Sequence, residues 1–196
     1  MNTYRTTGST RVDALLPMID RFLKRTLSGK RYAHSRRVAQ LCKAICCRYR
    51  LDPTVGCFVG LTHDLAREWS DEDLVELSQS DGEPFLPIEK ERPLLLHGRA
   101  CALFLAGRFG VYDPEVLEAV RYHTFGRSGY CDHGKALFLS DYLEPGRNFV
   151  TGTLRDSVLA LPLNAAVRAI IDHAESRGKS LAEPTRAMYD ELALKK

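Results

Sequence analysis

No apolar run in this sequence approaches the roughly 18 residues needed to cross a bilayer. Its opening, MNTYRTTGSTR, also lacks the apolar centre of a secretory signal. These two absences predict a cytoplasmic chain with no membrane partner. Charge of one sign is scarce as well: 28 lysines and arginines stand against 25 aspartates and glutamates, a net charge of +3 that is spread evenly. Such a chain has no basic stripe for a long nucleic acid, while small anionic substrates stay open to it. Among the six cysteines, Cys42, Cys46, Cys47, Cys57, Cys101 and Cys131, no CxxC pair has zinc spacing. In a reducing compartment they read as free thiols serving as small core residues. Internal repeats, low-complexity tracts and strand-type turns are missing too, which excludes repeat architectures and argues against sheets.

What is present is 196 residues, 44% hydrophobic and 27% charged, the balance of a globular protein long enough to bury a site beneath a core. One domain over 1–196 suffices, with a core at about 20–150 and further helices over 151–196. The punctuation is helical and the fold class is all-α. An amphipathic helix is expected over 12–27, and a second over 30–49 with Val38, Leu41 and Ile45 on one stripe. Asp52-Pro53 and Asp113-Pro114 each read as an N-cap followed by proline at the first helical position. They predict helices running toward Glu68 and toward His123. A short helix starts at Ser70, and the proline-rich stretch SDGEPFLPIEKERP predicts a loop. Further helices are expected over 93–108, through Leu137 and Asp141, and as two or three elements to the C-terminus.

Five of these helices are expected to carry a set of polar residues inward: His34, the pair His63-Asp64, His97, His123 and Asp141. Helices packed side by side can each aim one rigid ligand at a shared ion. Imidazole and carboxylate suit iron, manganese, cobalt or zinc, and the absence of thiolate argues against a structural zinc site. Any one of these histidines alone reads more simply as a hydrogen-bonded core residue, and the dipeptide His63-Asp64 is common by chance. The set as a whole carries the argument. His133 and His173 are expected to face solvent, Glu68 to be a solvated helix carboxylate, and Thr62 to bond back into its own helix.

The order H…HD…H…H…D resembles the HD superfamily of metal-dependent phosphohydrolases. The strings KRYAHSRRVA, GLTHDLAR, LLLHGRACA, RYHTFGR and LSDYLEPGR are similar to its YqeK-type branch. AIIDHAESRGKSLAEPTR resembles that branch's tail, so the likeness runs from about residue 20 to the C-terminus. It implies an HD-domain helical bundle with a C-terminal helical extension. It also implies symmetrical hydrolysis of a dinucleoside polyphosphate, diadenosine tetraphosphate, to two ADP by an iron centre of one or two ions, with manganese or cobalt as substitutes. Carried over, it makes His34, His63, Asp64 and Asp141 the ligands of the tighter metal position. Asp64, His97 and His123 would then serve a second metal, or the two histidines would hold substrate phosphates.

Catalytic roles fall to Asp64, Arg67, His97 and His123, and substrate contacts extend over His34, Asp141, Arg127, Gly129, Tyr130 and Arg147. Arg67 stands where the family has lysine: it keeps the charge as a planar fork but cannot give up a proton. Arg147 and Arg67 would face the departing phosphate, Arg127 and Gly129 would form a phosphate- or base-facing turn, and Tyr130 would stack on adenine. Other HD-type nucleotidases and phosphodiesterases, and a nucleotide-binding regulatory module without turnover, are the rival readings. The sequence leaves the oligomeric state open, a homodimer included.

Overall fold

In a computed structural model, residues 9–194 are described, with side chains from residue 12, and they form eleven α-helices and no strand. The two ends of the expected 1–196 span lie outside the described residues. Helices α1 (Ser9–Thr26) and α2 (Gly29–Arg48) part at Ser28, whose hydroxyl accepts from the Arg31 amide at 3.3 Å. Glu68, expected to be merely solvated, accepts from the Ser28 amide at 2.8 Å and from its hydroxyl at 2.6 Å, tying the start of α2 to a distant turn. At the other end of α2, Arg50 takes a left-handed φ of 60° and the Leu51 amide donates to Cys46 O at 2.9 Å. This closes the helix in the manner of a Schellman turn. Asp52 then caps α3 (Pro53–Thr62) through the Thr54 amide at 2.8 Å, as its sequence predicts.

The turn folds α3 back along α2, and this is the most extensive helix pair in the molecule. A Cβ on Gly56 would lie 2.4 Å from the Cys46 sulfur, and one on Gly60 would lie 2.7 Å from the Ala39 Cα. The two contacts run in opposite directions along the chain, so the helices are antiparallel, and small residues let their backbones nearly touch. All six cysteines are free; Cys42, Cys46 and Cys101 are the buried core thiols that the sequence predicts, whereas Cys57 and Cys131 are half-buried and Cys47 is exposed, contrary to that expectation. His34 near the start of α2 thereby meets His63 just past the end of α3.

Next come α4 (Asp71–Gln79), α5 (Pro87–Glu91), a 3-10 turn (Pro93–Leu96), α6 (His97–Phe109), α7 (Pro114–Arg121) and α8 (Asp132–Leu143). Helix α8 is the hub: it packs on α2, α3, α7 and α10, and the last three helices, α9 (Gly152–Leu159), α10 (Leu163–Ser176) and α11 (Glu183–Leu194), are laid onto it by α10. Among the described residues no helix is long and apolar enough to cross a membrane.

Three expectations are corrected. Helix α3 stops at Thr62 instead of running to Glu68, because residues 63–69 tighten into turns with the bonds Leu65 N to Thr62 O, Arg67 N to Asp64 O and Trp69 N to Ala66 O. Cys101 of α6 accepts from the Ala66 amide at 3.1 Å and donates to His63 O at 3.2 Å, which satisfies backbone groups that the helix has given up. The expected loop 80–93 contains α5, whose proline opens it and whose Glu89 carboxylate accepts from the Leu86 amide at 2.8 Å. His133 does not face solvent: it is buried, with Nδ1 2.7 Å from Glu115 and Nε2 3.2 Å from Asp52 O. His173 is half-buried, with its Nδ1 2.8 Å from the Tyr142 hydroxyl.

Gly60→Ala should destabilise the protein by about 1–3 kcal/mol, the usual range for overpacking, read from urea unfolding with an unchanged m-value. Burial pushes the His133 pKa down, but Glu115 outweighs it and leaves His133 above its ordinary value, while His133 holds Glu115 below its own. The pair therefore stabilises the fold from about pH 4.3, the ordinary glutamate value, upward, and its contribution fades as pH rises past about 6.5 through the raised histidine value. Glu115→Gln should narrow the gap in denaturation midpoint to the native protein as pH rises from 6 to 9; a gap that stays constant would show the pair contributes nothing.

Candidate metal centre

Helix ends build this site. His34 comes from α2, His63 and Asp64 from the turn after α3, His97 from the first position of α6, His123 from the turn after α7 and Asp141 from α8. The sequence predicts each of them on a helix. His63, Asp64 and His123 lie just past helix ends instead, where the backbone offers carbonyls to side chains. His63 Nδ1 bonds to Gly60 O at 2.8 Å, His97 Nδ1 to Leu94 O at 2.7 Å and His123 Nδ1 to Val120 O at 2.8 Å, each three residues back. His34 Nδ1 faces the Glu144 carboxylate at 3.2 Å. A carbonyl or carboxylate oxygen only accepts, so Nδ1 carries a proton in every case, and in the neutral ring the Nε2 lone pair is turned inward.

Asp64 lies at the centre, and its two oxygens face different partners. Oδ2 is 3.5 Å from the Nε2 of both His34 and His63, while Oδ1 is 3.2 Å from His97 Nε2 and 3.9 Å from His123 Nε2. Asp141 Oδ1 is 3.1 Å from His34 Nε2 and 3.8 Å from His63 Nε2. The four histidines and Asp64 are buried, whereas the Asp141 side chain is 28% exposed and opens the site to one side. His34, His63 and Asp141 form one group whose ligand atoms all lie within 4.8 Å of one another, and His63, Asp64 and His123 form another.

Electrostatics agree with a cation site. Burial pushes Asp64 up, but the facing His63 and His97 outweigh it and hold the carboxyl well below its ordinary value. Burial likewise opposes ionisation of Asp141, and His34, His63 and Arg147 hold it below the ordinary value. His123 is pushed down to about 3 by burial and by the neighbouring His97 and His63, so it remains a neutral lone-pair donor. The Nε2 atoms of His34 and His63 are buried without a hydrogen-bond partner. Orphaned nitrogens aimed at a common point beside two carboxylates fit a divalent ion of borderline softness, and the cluster can hold one.

The other expected residues divide. Arg147 reaches the cluster: its guanidinium pairs with the Asp141 carboxylate and its Nε donates to Asp141 O at 3.0 Å. Arg67 is half-buried, and among the described residues no hydrogen bond or ion pair ties its guanidinium to the cluster. Tyr130 is not available for stacking, because it is 3% exposed, its ring packs on Gly134 and its hydroxyl donates to Ala119 O at 2.6 Å. Gly129 does not offer its amide to a phosphate either, since that N–H is spent on the Glu191 carboxylate. Arg127 is exposed, lies 4.9 Å from the Tyr122 ring centroid and lines a cavity of about 220 Å³ apart from the histidines.

Three residues were missed. Arg31 donates to Asp64 Oδ2 at 2.6 Å, and Glu144, 2% exposed, receives His34 Nδ1 and the Arg37 Nε, the latter at 2.6 Å. Arg31 precedes His34 by three residues and Glu144 follows Asp141 by three, so the i,i+3 spacing of one helix face was the available signal. A cleft of about 590 Å³ leads away from His123 and Asp141, with Arg92, Arg147 and Lys179 as its cations and Phe125, Phe138, Tyr142 and Phe149 among its lining.

Glu144→Gln keeps the size of the carboxylate but removes the charge that orients His34. Metal affinity should fall about 10–100-fold, as for other partners of ligating histidines, measured by calorimetric titration of the metal-free protein. An unchanged affinity would leave Glu144 with a purely structural part.

Comparison with known proteins points the same way. The chain is 35% identical over 132 residues to a Staphylococcus aureus protein named bis(5'-nucleosyl)-tetraphosphatase, symmetrical, covering 65% of each chain. It is 28% identical over 127 residues to the Bacillus subtilis protein of the same name, covering 65% of this chain and 68% of that one. The match thus spans about two thirds of the length of these relatives. The crystal structure of a predicted HD superfamily hydrolase involved in NAD metabolism from Clostridium acetobutylicum superposes with a TM-score of 0.81 at 28% identity, covering 92% of this chain and 98% of that one. Residues 31–150, which carry all six residues of the cluster, match the family model of the HD domain, and this chain belongs to that family.

Proposed function

We propose that this protein hydrolyses dinucleoside tetraphosphates symmetrically, converting diadenosine tetraphosphate to two ADP, at an iron centre held by His34, His63, Asp64 and Asp141. The observation that carries the chemistry is the two-sided Asp64 carboxylate, with inward Nε2 lone pairs on both of its sides. The substrate is supported by the names of the Staphylococcus and Bacillus relatives. A divalent ion at such a centre supplies positive charge to a phosphoanhydride and lowers the pKa of its bound water toward neutrality.

The chain's own residues do the rest. His97 and His123 have their Nδ1 protons committed to Leu94 O and Val120 O. In their neutral form they offer lone pairs rather than protons toward the cluster, so together with Asp64 they would hold a second ion in preference to donating hydrogen bonds to phosphate. Arg31 and Arg147 stand on the two carboxylates with partly exposed guanidiniums, 29% and 33% by side chain, and are placed to meet phosphate oxygens that approach the cluster. Arg67, which this reading had enlisted beside Arg147, makes no such contact. The cleft beyond Asp141 supplies aromatic rings and cations suited to one nucleoside and its attached phosphates. Symmetrical cleavage adds the water oxygen to one inner phosphorus and breaks the central anhydride, so the bond electrons leave with the second ADP.

Anaerobic incubation of ferrous-loaded protein with diadenosine tetraphosphate, followed by chromatography, should give ADP as sole product, and His63→Ala and Asp64→Ala should abolish it. AMP with ATP would keep the metal centre and overturn symmetrical cleavage. Tight binding without turnover would make the protein a nucleotide-binding module.

A further inference from the structure

Asp81 lies in the turn after α4 with its side chain 13% exposed. Arg99 grips it with two nitrogens, Nε to Oδ2 at 2.9 Å and a terminal nitrogen to Oδ1, and Arg121 donates to Oδ2 at 2.6 Å. The same Arg99 guanidinium donates to Glu83 O at 2.6 Å. Burial pushes Asp81 up, but these two arginines and the Glu83 amide outweigh it and leave the carboxyl at about 2, ionised throughout the neutral range. The positions of the two arginines give the cluster its meaning. Arg99 follows His97 by two residues on α6, and Arg121 ends α7 two residues before His123.

The two histidines come unusually close. Their Nε2 atoms are 3.0 Å apart although both Nδ1 protons are spent on backbone carbonyls, so in the neutral rings two lone pairs point at each other. Without a proton or cation between them this contact is repulsive, and something else must hold it. The backbone beneath is just as tight: a Cβ on Gly98 would lie 2.8 Å from Arg121 O and 2.9 Å from His123 Nδ1.

We propose that Asp81 is a positioning residue for His97 and His123, drawing α6 and the end of α7 together through Arg99 and Arg121 and so setting the spacing of the two rings. This rests on the reading of the cluster as a metal centre. Asp81 makes no hydrogen bond or ion pair with either histidine, and it acts through the two arginines that flank them. A carboxylate that merely anchored the 80–86 turn would need one arginine; binding one from each histidine-bearing element makes it a clasp.

Cobalt(II), followed by its visible absorption, is the probe for native protein, Asp81→Asn and His97→Ala. Asp81→Asn should weaken by about tenfold or more the binding event that His97→Ala removes, and leave the remaining uptake unchanged. In the metal-free protein, nitrogen-15 resonances of the His97 and His123 rings should move in Asp81→Asn while those of His34 and His63 stay. Should Asp81→Asn fail to fold, Arg121→Lys carries the same expectations. Native-like titration with unmoved rings overturns the clasp, and so does equal weakening of every cobalt event, which marks a general structural role. If the native protein takes up no cobalt, the metal-centre reading falls and the ring resonances alone decide the clasp.

Discussion

An ionised carboxylate at the centre of a helical protein is costly to desolvate, and Asp64, 4% exposed, is such a group. Most of the architecture around it answers that cost. Arg31 supplies a full positive charge at 2.6 Å, and four imidazoles surround the two oxygens. Those imidazoles are in turn aimed by acceptors on their far sides, three backbone carbonyls and Glu144. The backbone makes room for this by leaving α3 at Thr62, and the groups exposed by that departure are taken up by Cys101. One buried charge thus fixes a helix end, a set of tautomers and the placement of a thiol.

Much of the fold was legible from local chemistry. Asp52 and Asp113 cap helices where the residue type and the following proline predict, Ser70 opens α4 as expected, and Gly110 ends α6 in a left-handed conformation. The six polar residues of the cluster also come together as their order along the chain implies. Periodicity reports which face of a helix is buried but is silent on where the helix yields to tertiary demands. For that reason the break at Thr62 and the helix inside the proline-rich stretch were not foreseen. Tyr130 and Gly129 failed because a residue type that suits ligand binding suits an internal partner equally well, and His133, expected in solvent, is buried because it too finds internal partners. Their partners, Ala119 O, Glu191 and Glu115, are distant in sequence or lie on other elements.

Positive charge in this region is layered. Arg31 and Arg147 stand directly on the cluster's carboxylates, Arg37 is one step removed on Glu144, and Arg99 with Arg121 lies behind the His97 and His123 pair on Asp81. Each guanidinium is matched to a carboxylate, so a chain of nearly balanced charge gathers five arginines here as ion pairs rather than as free positive charge. The matching also distinguishes Arg31 from Arg67: the residue three before His34 shares its helix face with the ligand, whereas Arg67 follows Asp64 through a turn and, among the described residues, makes no ion pair with the cluster.

The left-handed residue Arg50 and the four-residue connection between α2 and α3 bear on how the molecule assembles. Contacts between elements so near in sequence cost little loop-closure entropy and are among the quickest to form. Asp141, by contrast, comes from the far side of two more helix pairs. The nascent chain can therefore bring His34 and His63 together soon after residue 63 is available, and the pair waits as a half-built cage until α8 arrives to complete it.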